Sequence, residues 1–325
     1  MTAHEVFVSK DGRLRALWRI LFFCAASFAA LFVADAILGL LISQFFSLVG
    51  IRGVSNEYWV QAFGLLGGTA ITLRVVEKRS WRMVWMGSDA ARPSLLVLGF
   101  LVGAAAIALP IAGLIGVHWL RSSAGGVGSW ASAALRVSLL LLPAALFEEL
   151  VARGYILSVL RESWGWTWAI VATSIGFGLL HLANNGVTAE SVALVMLAGF
   201  FLAGVLYATK SLYAAWMAHF AWNWTMAVVF HTAVSGYPME APGYRYVDAG
   251  PDWATGGDWG PEGGIPAGLG MGAGAGLVYL LSRRRRLAGA NTPVTPNELT
   301  PVVPEEATPV IPKEPSPVIP KERSD

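Results

Sequence analysis

The chain has 325 residues, of which 55% are hydrophobic and 14% charged, with a formal net charge of +2. Soluble domains carry about 25% charge, and mean hydropathy here is +0.56, so the composition excludes a disordered protein and argues against an ordinary soluble enzyme. The single cysteine, Cys24, excludes an intrachain disulfide and any multi-cysteine metal site. A histidine-based site must draw on His4, His118, His181, His219 or His231.

A membrane span needs about 20 mostly apolar residues. Eight stretches meet or approach this: 20–48, 58–76, 94–118, 132–159, 167–183, 191–209, 212–234 and 264–282. The expected fold class is therefore all-α, a polytopic transmembrane helix bundle of about eight spans. The first apolar run is well beyond a signal-peptide core of roughly 7–15 residues, so it reads as an uncleaved span.

The chain divides into N-terminal helices over 1–131, a core over 132–234, a loop over 235–263, a last span with an arginine run over 264–287, and a tail over 288–325. The loop is rich in Gly, Pro, Trp and Asp and reads as irregular and extracytoplasmic. The tail repeats every eight residues (TPVTPNE, TPVVPEE, TPVIPKE, SPVIPKE). Dense proline favours extended polyproline II and builds no packed core. The last span carries Gly264, Gly268, Gly272 and Gly276 on one face. This repeated small-residue spacing suits close helix packing in lipid, within the bundle or between subunits.

Basic residues orient the spans, because cytoplasmic loops are enriched in Lys and Arg. With the N-terminus inside, Lys10, Arg13, Arg15, Arg19, Arg74, Lys78, Arg79, Arg82, Arg92, Arg161, Lys210 and Arg283–Arg286 fall inside. Only Arg52, Arg121, Arg136 and Arg245 fall outside. The expectation is a multi-pass protein of a bacterial cytoplasmic membrane with both termini cytoplasmic, the lipid bilayer as its constant partner, and no nucleic-acid partner.

Ionisable side chains inside spans are expensive and point to function. Span four carries Glu148, Glu149 and Arg153. Glu149 and Arg153 are i,i+4 and pair on one helix face. Glu148 points about 100° away, lacks that partner, and suits a general base or acid. Span five places Phe177 and His181 on one face, and span seven does the same for His219 and Asn223. Counting 1.5 Å per residue puts Glu148 about 18 Å, His181 about 21 Å, His219 about 10 Å and Asn223 about 16 Å from the cytoplasmic ends of their spans. These groups are expected to meet in the cytoplasmic half to middle of the bundle. Asp35 in span one has no assigned role.

The three patterns Glu148-Glu149-x-x-x-Arg153, Phe177-x-x-x-His181 and His219-x-x-x-Asn223 resemble the motifs of the CPBP intramembrane proteases, the family of eukaryotic CAAX prenyl endopeptidases and bacterial Abi or bacteriocin-processing homologues. The resemblance covers roughly residues 132–234. It implies a catalytic Glu148, supported by Glu149 and Arg153, with His181, His219 and Asn223 completing the pocket. No motif residue is substituted, so the implied site is intact.

The residue chemistry agrees with peptide hydrolysis of a membrane-associated or lipidated substrate. Glu148 can take a proton from water, His181 can position that water, and His219 and Asn223 can donate to an oxyanion. A metal version would have His181 and His219 hold a divalent ion such as zinc, with one position open for water. Two other readings use the same residues: a proton- or solute-coupled transporter, or a non-catalytic bacteriocin-immunity or scaffold protein. Transporters often carry internal span repeats, and none is evident in the eight spans.

Overall fold

The structure, a computed structural model, describes residues 6–8 and 12–290, with side chains through Arg284. The compact unit that carries the motifs ends at Arg284. His4, Lys10 and residues 291–325, most of the expected tail, lie outside the described residues.

Helices dominate. α1 (Ala16–Ala34) passes through a π turn at Asp35–Gly39 into α2 (Leu40–Leu48). α3 (Glu57–Thr72) closes in a π turn, Leu73–Glu77. α4 (Pro93–Gly116) opens on proline, whose missing N–H is harmless at a first helical position. α5 (Trp130–Glu149) runs through the π turn Leu150–Gly154 into α6 (Tyr155–Leu179). α7 (Ala189–Thr209), α8 (Leu212–Trp224, extended by the π turn Thr225–Val229) and α9 (Ile265–Ala290) complete the helices that build the bundle.

Among the described residues, six helical stretches are long and apolar enough to cross a membrane: Ala16–Leu48, Glu57–Glu77, Pro93–Gly116, Trp130–Leu179, Ala189–Thr209 and Ile265–Arg284. The expectation of about eight separate spans differs at two places. Spans four and five form one stretch of 50 residues, broken at Gly165 (φ 77°, ψ 175°). Glycine tolerates that positive φ, so a sharp bend stands where a polar loop is expected. The seventh stretch, Leu212–Val229, is helical but is not among the six, and it carries His219 and Asn223.

The all-α expectation needs a second amendment. Leu120–Ala124 (β1) and Tyr244–Asp248 (β2) pair antiparallel, with Leu120 opposite Asp248 and Ala124 opposite Tyr244. The 235–263 segment, expected to be irregular, therefore contains a strand. It also holds a one-turn helix at Asp252–Thr255 and two 3-10 turns. Two strands of five residues, more than 100 positions apart, leave no local signal of their pairing. Gly260 (φ 100°) lets this segment press on the bundle: a Cβ there would lie 2.5 Å from the Ala233 carbonyl oxygen.

Tryptophan indoles clasp α5 in place. Pro143 inside α5 cannot donate to the Leu139 carbonyl. Trp59 Nε1 of α3 donates to that oxygen instead, at 2.9 Å. Trp216 and Trp224 of α8 donate to Leu142 O (2.8 Å) and Ser138 Oγ (2.9 Å), and Trp130 donates to Val228 O (3.1 Å). Each bond gives a polar tip a partner where lipid offers none.

Glycines set the closest backbone approaches. Cβ atoms on Gly99 and Gly103 of α4 would fall 2.1 and 2.0 Å from the carbonyl oxygens of Ala214 and Ala218 of α8. On α9 the first half of the expected face is closely packed, a Cβ on Gly264 lying 2.0 Å from Ala254 O and one on Gly268 3.0 Å from Leu194 of α7, and a second glycine face packs as well. Gly270 and Gly274 meet α4, where a Cβ on Gly270 would lie 1.9 Å from Ala106 O, whereas Gly272 and Gly276 meet nothing within 4 Å. Pro110 frees the Ala106 carbonyl, four residues back, from its helical partner, which helps select that contact.

The two ends of the bundle are distinct. At one end, Arg19 pairs with Glu77 and Glu162 at 2.7 and 2.9 Å, and Arg79 also pairs with Glu162. There Ser211 Oγ donates to Ala90 O at 2.6 Å. At the other end lie the β ladder and the pairs Arg136–Glu240 and Asn184–Ser235. Arg136 holds the Glu240 carboxyl below its ordinary pKa through their hydrogen bonds, which outweigh desolvation by burial.

Replacing Gly103 by leucine should destabilise the protein by about 1–3 kcal/mol or more, because neither backbone can withdraw. Gly113→Ala on the same helix, where nothing lies within 4 Å, should change stability by no more than about 1 kcal/mol. Thermal unfolding of both variants in detergent checks the contrast.

Candidate active site

The first motif lies where α5 widens into its π turn. Such turns are frequent at functional sites. Glu149 and Arg153 are both fully buried, and Arg153 Nη1 donates to Glu149 Oε1 at 2.9 Å. Arg153 Nη2 donates to the Gly199 carbonyl of α7 at 3.2 Å, and the guanidinium lies 4.1 Å from the Phe177 ring centroid. Glu148 is excluded from this pair, as the helical angle requires. Its side chain is 29% exposed, and its buried Oε2 has no hydrogen-bond partner.

Phe177 and His181 come from the end of α6. The helix stops at Leu179, so His181 sits in the turn beyond it rather than on a helical face. The i,i+4 relation survives because the turn continues: His181 Nδ1 donates to the Phe177 carbonyl at 2.8 Å. The Phe177 ring packs 5.0 Å from the His181 ring and 5.9 Å from that of His219. Phe177 therefore touches both histidines and the arginine.

His219 and Asn223 lie on α8, whose register is fixed at its first turn. Lys210 adopts a left-handed conformation (φ 54°), and Ser211 caps the helix by accepting from Ala214 N at 3.1 Å. Both motif residues are buried. His219 Nδ1 bonds Glu149 Oε1 at 2.9 Å.

The hydrogen bonds decide the imidazole tautomers. A carbonyl only accepts, so His181 carries its proton on Nδ1 and leaves a lone pair on Nε2. Glu149 Oε1, which already accepts from Arg153, likewise accepts the Nδ1–H of His219. Both Nε2 atoms then face Glu148 Oε2, at 3.7 Å from His181 and 3.8 Å from His219. The spacing is too long for a direct hydrogen bond and suits one small polar molecule among the three atoms.

Glu148, His181 and Asn223 line a cavity of about 630 Å³, whose walls are otherwise mainly apolar. His181, His219 and Asn223 also line a small adjoining cavity. All six expected site residues are thus gathered, with Glu149 and Arg153 behind the surface. The cavity at this centre extends toward the β-ladder end. Asn184, Val234 and Ser235 line it, because α6 ends at Leu179 and the chain turns through His181.

Several residues at the site carry no motif signal. Glu262, buried, accepts from Trp222 Nε1 (2.9 Å) and from Ser235 N and Oγ (2.7 Å each). It ties the 235–263 segment to α8. A carboxylate flanked by Pro261 and Gly263 just before an apolar span was the available clue. Tyr58 of α3 and Tyr237 also line the larger cavity, and both lie outside the motifs. Asp35 is exposed within its π turn and is not among the lining residues.

Among the described residues no group of three or more His, Cys, Asp or Glu side chains is placed to hold a metal ion.

Residues 130–225 match the family of type II CAAX prenyl endopeptidase Rce1-like proteins, in agreement with the resemblance carried by the three motifs. A curated relative from Escherichia coli, the glutathione-regulated potassium-efflux system protein KefC, is 30% identical over 194 residues, 60% of this chain. The match spans only 28% of that protein's length. No solved structure matches significantly.

Removing Arg153 alone would leave Glu149 buried without its countercharge. Arg153→Ala should lower unfolding stability by about 3–5 kcal/mol, and Glu149→Leu combined with Arg153→Met should recover much of it. Denaturation in detergent measures both, and equal losses would contradict the ion-pair account.

Proposed function

We propose that this chain is an intramembrane endopeptidase of the CAAX protease and bacteriocin-processing type. It hydrolyses a peptide bond of a membrane-associated or lipidated protein with water activated by Glu148. The observation that carries the reading is the convergence of both histidine Nε2 atoms on Glu148 Oε2, at 3.7 and 3.8 Å. The family match over residues 130–225 supports it.

The reaction follows from the groups present. Water bound among Glu148 and the two imidazoles gives a proton to Glu148 as its oxygen attacks the peptide carbonyl. The lone pair of His181 accepts the water's other hydrogen and fixes its direction. The Asn223 amide donates to the oxyanion that forms. His219 adds to this when protonated, an ion that Glu149 behind it would stabilise. Glu148 then returns the proton to the departing amine as the carbon–nitrogen bond breaks. In a metal-assisted form, His181 and His219 would supply the nitrogen donors of a divalent ion such as zinc.

The bundle is read as eight crossings: the six apolar stretches with the long one divided at Gly165, plus Leu212–Val229. Both termini are then cytoplasmic, in a bacterial cytoplasmic membrane. Self-association through the exposed Gly272 and Gly276 face belongs to the same reading. The likeness to a potassium-efflux protein favours a second reading, in which the cavity-lining Glu148 and His181 and the buried Arg153 serve transport.

Replacing Glu148 by Gln, His181 by Ala or His219 by Ala should each lower cleavage by about 10²–10⁴-fold. A double replacement should cost little more than the worst single one, because the groups act as a unit. Asn223→Ala should cost about 10²–10³-fold. Comparison of membrane-protein cleavage between wild type and Glu148→Gln tests the reading. Unchanged cleavage with altered potassium flux would favour transport, and loss of activity on chelation, restored by zinc, would favour the metal form.

A further inference from the structure

The two ends of the bundle differ in charge, and the cavity meets only one of them. Among the described residues, segments 13–19, 74–92, 161–162, 210 and 283–284 carry twelve Lys or Arg side chains against three acids, Glu77, Asp89 and Glu162. These segments gather at the end held by Arg19, Glu77, Glu162 and Arg79. The opposite end carries four arginines, Arg52, Arg121, Arg136 and Arg245, against seven acids, six of them exposed. Short loops rich in Lys and Arg stay on the cytoplasmic side, so the β-ladder end is extracytoplasmic.

The 630 Å³ cavity has its outer wall at that second end, formed by Asn184, Val234, Ser235, Tyr237, Pro238 and Met239. No residue of the basic segments lines it. Its inner wall is apolar, from Leu140, Leu141, Ala144, Phe147, Val151 and Leu180, with Glu148 and His181 the ionisable groups. A highly charged peptide would lose hydration there without compensation, whereas an apolar stretch fits.

We infer that the Glu148 cavity is entered from the extracytoplasmic side and takes an apolar peptide segment displayed at that leaflet. The substrate half of this inference rests on the endopeptidase reading, and the side of entry does not.

Two measurements separate them. In a Cys24→Ala background, which removes the only native cysteine, single cysteines are placed by Tyr237→Cys at the cavity, Val127→Cys at the same end and Arg82→Cys at the basic end. Membrane-impermeant maleimide is applied to intact spheroplasts and to inverted vesicles. Tyr237→Cys and Val127→Cys should label in spheroplasts and lose labelling in sealed inverted vesicles, with Arg82→Cys the reverse. Should Tyr237→Cys fail to fold, Val127→Cys, on a fully exposed turn, still reports the side. The opposite pattern overturns the inference.

The second measurement uses a single-span reporter displaying an apolar segment on either face. Cleavage of only the extracytoplasmic form, lost in Glu148→Gln, supports the substrate assignment. Cleavage of only the cytoplasmic form overturns it. Cleavage of neither, with Tyr237→Cys still labelled from outside, overturns the endopeptidase reading while leaving the side of entry standing.

Discussion

The fold is organised around one expensive object, the Glu149–Arg153 pair held at zero exposure among helices. Desolvating two charges can exceed their mutual attraction unless the remaining donors and acceptors find partners. Here α7 supplies the Gly199 carbonyl, α6 the Phe177 ring, and α8 the Nδ1 of His219. Three elements are therefore obliged to meet α5 at one point. The geometry of the candidate site is a by-product of satisfying that pair: His219 is oriented by Glu149, and Phe177 by Arg153. Glu148, one residue earlier, is left facing the cavity.

Holding four helices this close in lipid needs two further devices. Glycines on α4 admit the backbone of α8 to within distances no side chain would allow. Indole N–H groups then bond carbonyl and hydroxyl oxygens that proline or the bundle interior would otherwise leave short of partners. Both devices act on α8, so the helix that carries His219 and Asn223 is fixed along its length as well as at its Ser211 cap. The segment between α8 and α9 closes the other side, through Glu262 bonded to Trp222 and Ser235. A carboxylate, two imidazoles and an amide are brought to one cavity because each element bearing them is held by its own contacts.

Much of this was legible in residue order. An i,i+4 carboxylate–guanidinium pair with a second carboxylate about 100° away already separates support from chemistry, since helical pitch alone imposes that angle. The small-residue spacing on the last span announced close packing, which Gly264 and Gly268 make, but it did not name the second face of Gly270 and Gly274. Several glycine faces coexist on that helix, and only the Ala106 carbonyl opposite it selects Gly270. His181 was assigned to a helical face, yet α6 ends two residues before it. A turn that keeps the i,i+4 hydrogen bond looks the same in sequence as a continuing helix.

The sequence by itself determined that the chain is rich in apolar helices of membrane-spanning length, which ionisable residues the bundle would gather, and which of two adjacent glutamates is unpaired. These follow from apolar length, helical angle and the cost of buried charge, all of them local. Only the tertiary structure decided that Glu262, Tyr58 and Tyr237 share the site and that the two imidazoles carry their protons on Nδ1. It also decided that the cavity meets the acid-rich end. Those facts depend on contacts between segments far apart in the chain, from Tyr58 on α3 to Glu262 before α9. Such contacts are chosen by packing and hydrogen-bond satisfaction across the whole bundle, which no local pattern encodes.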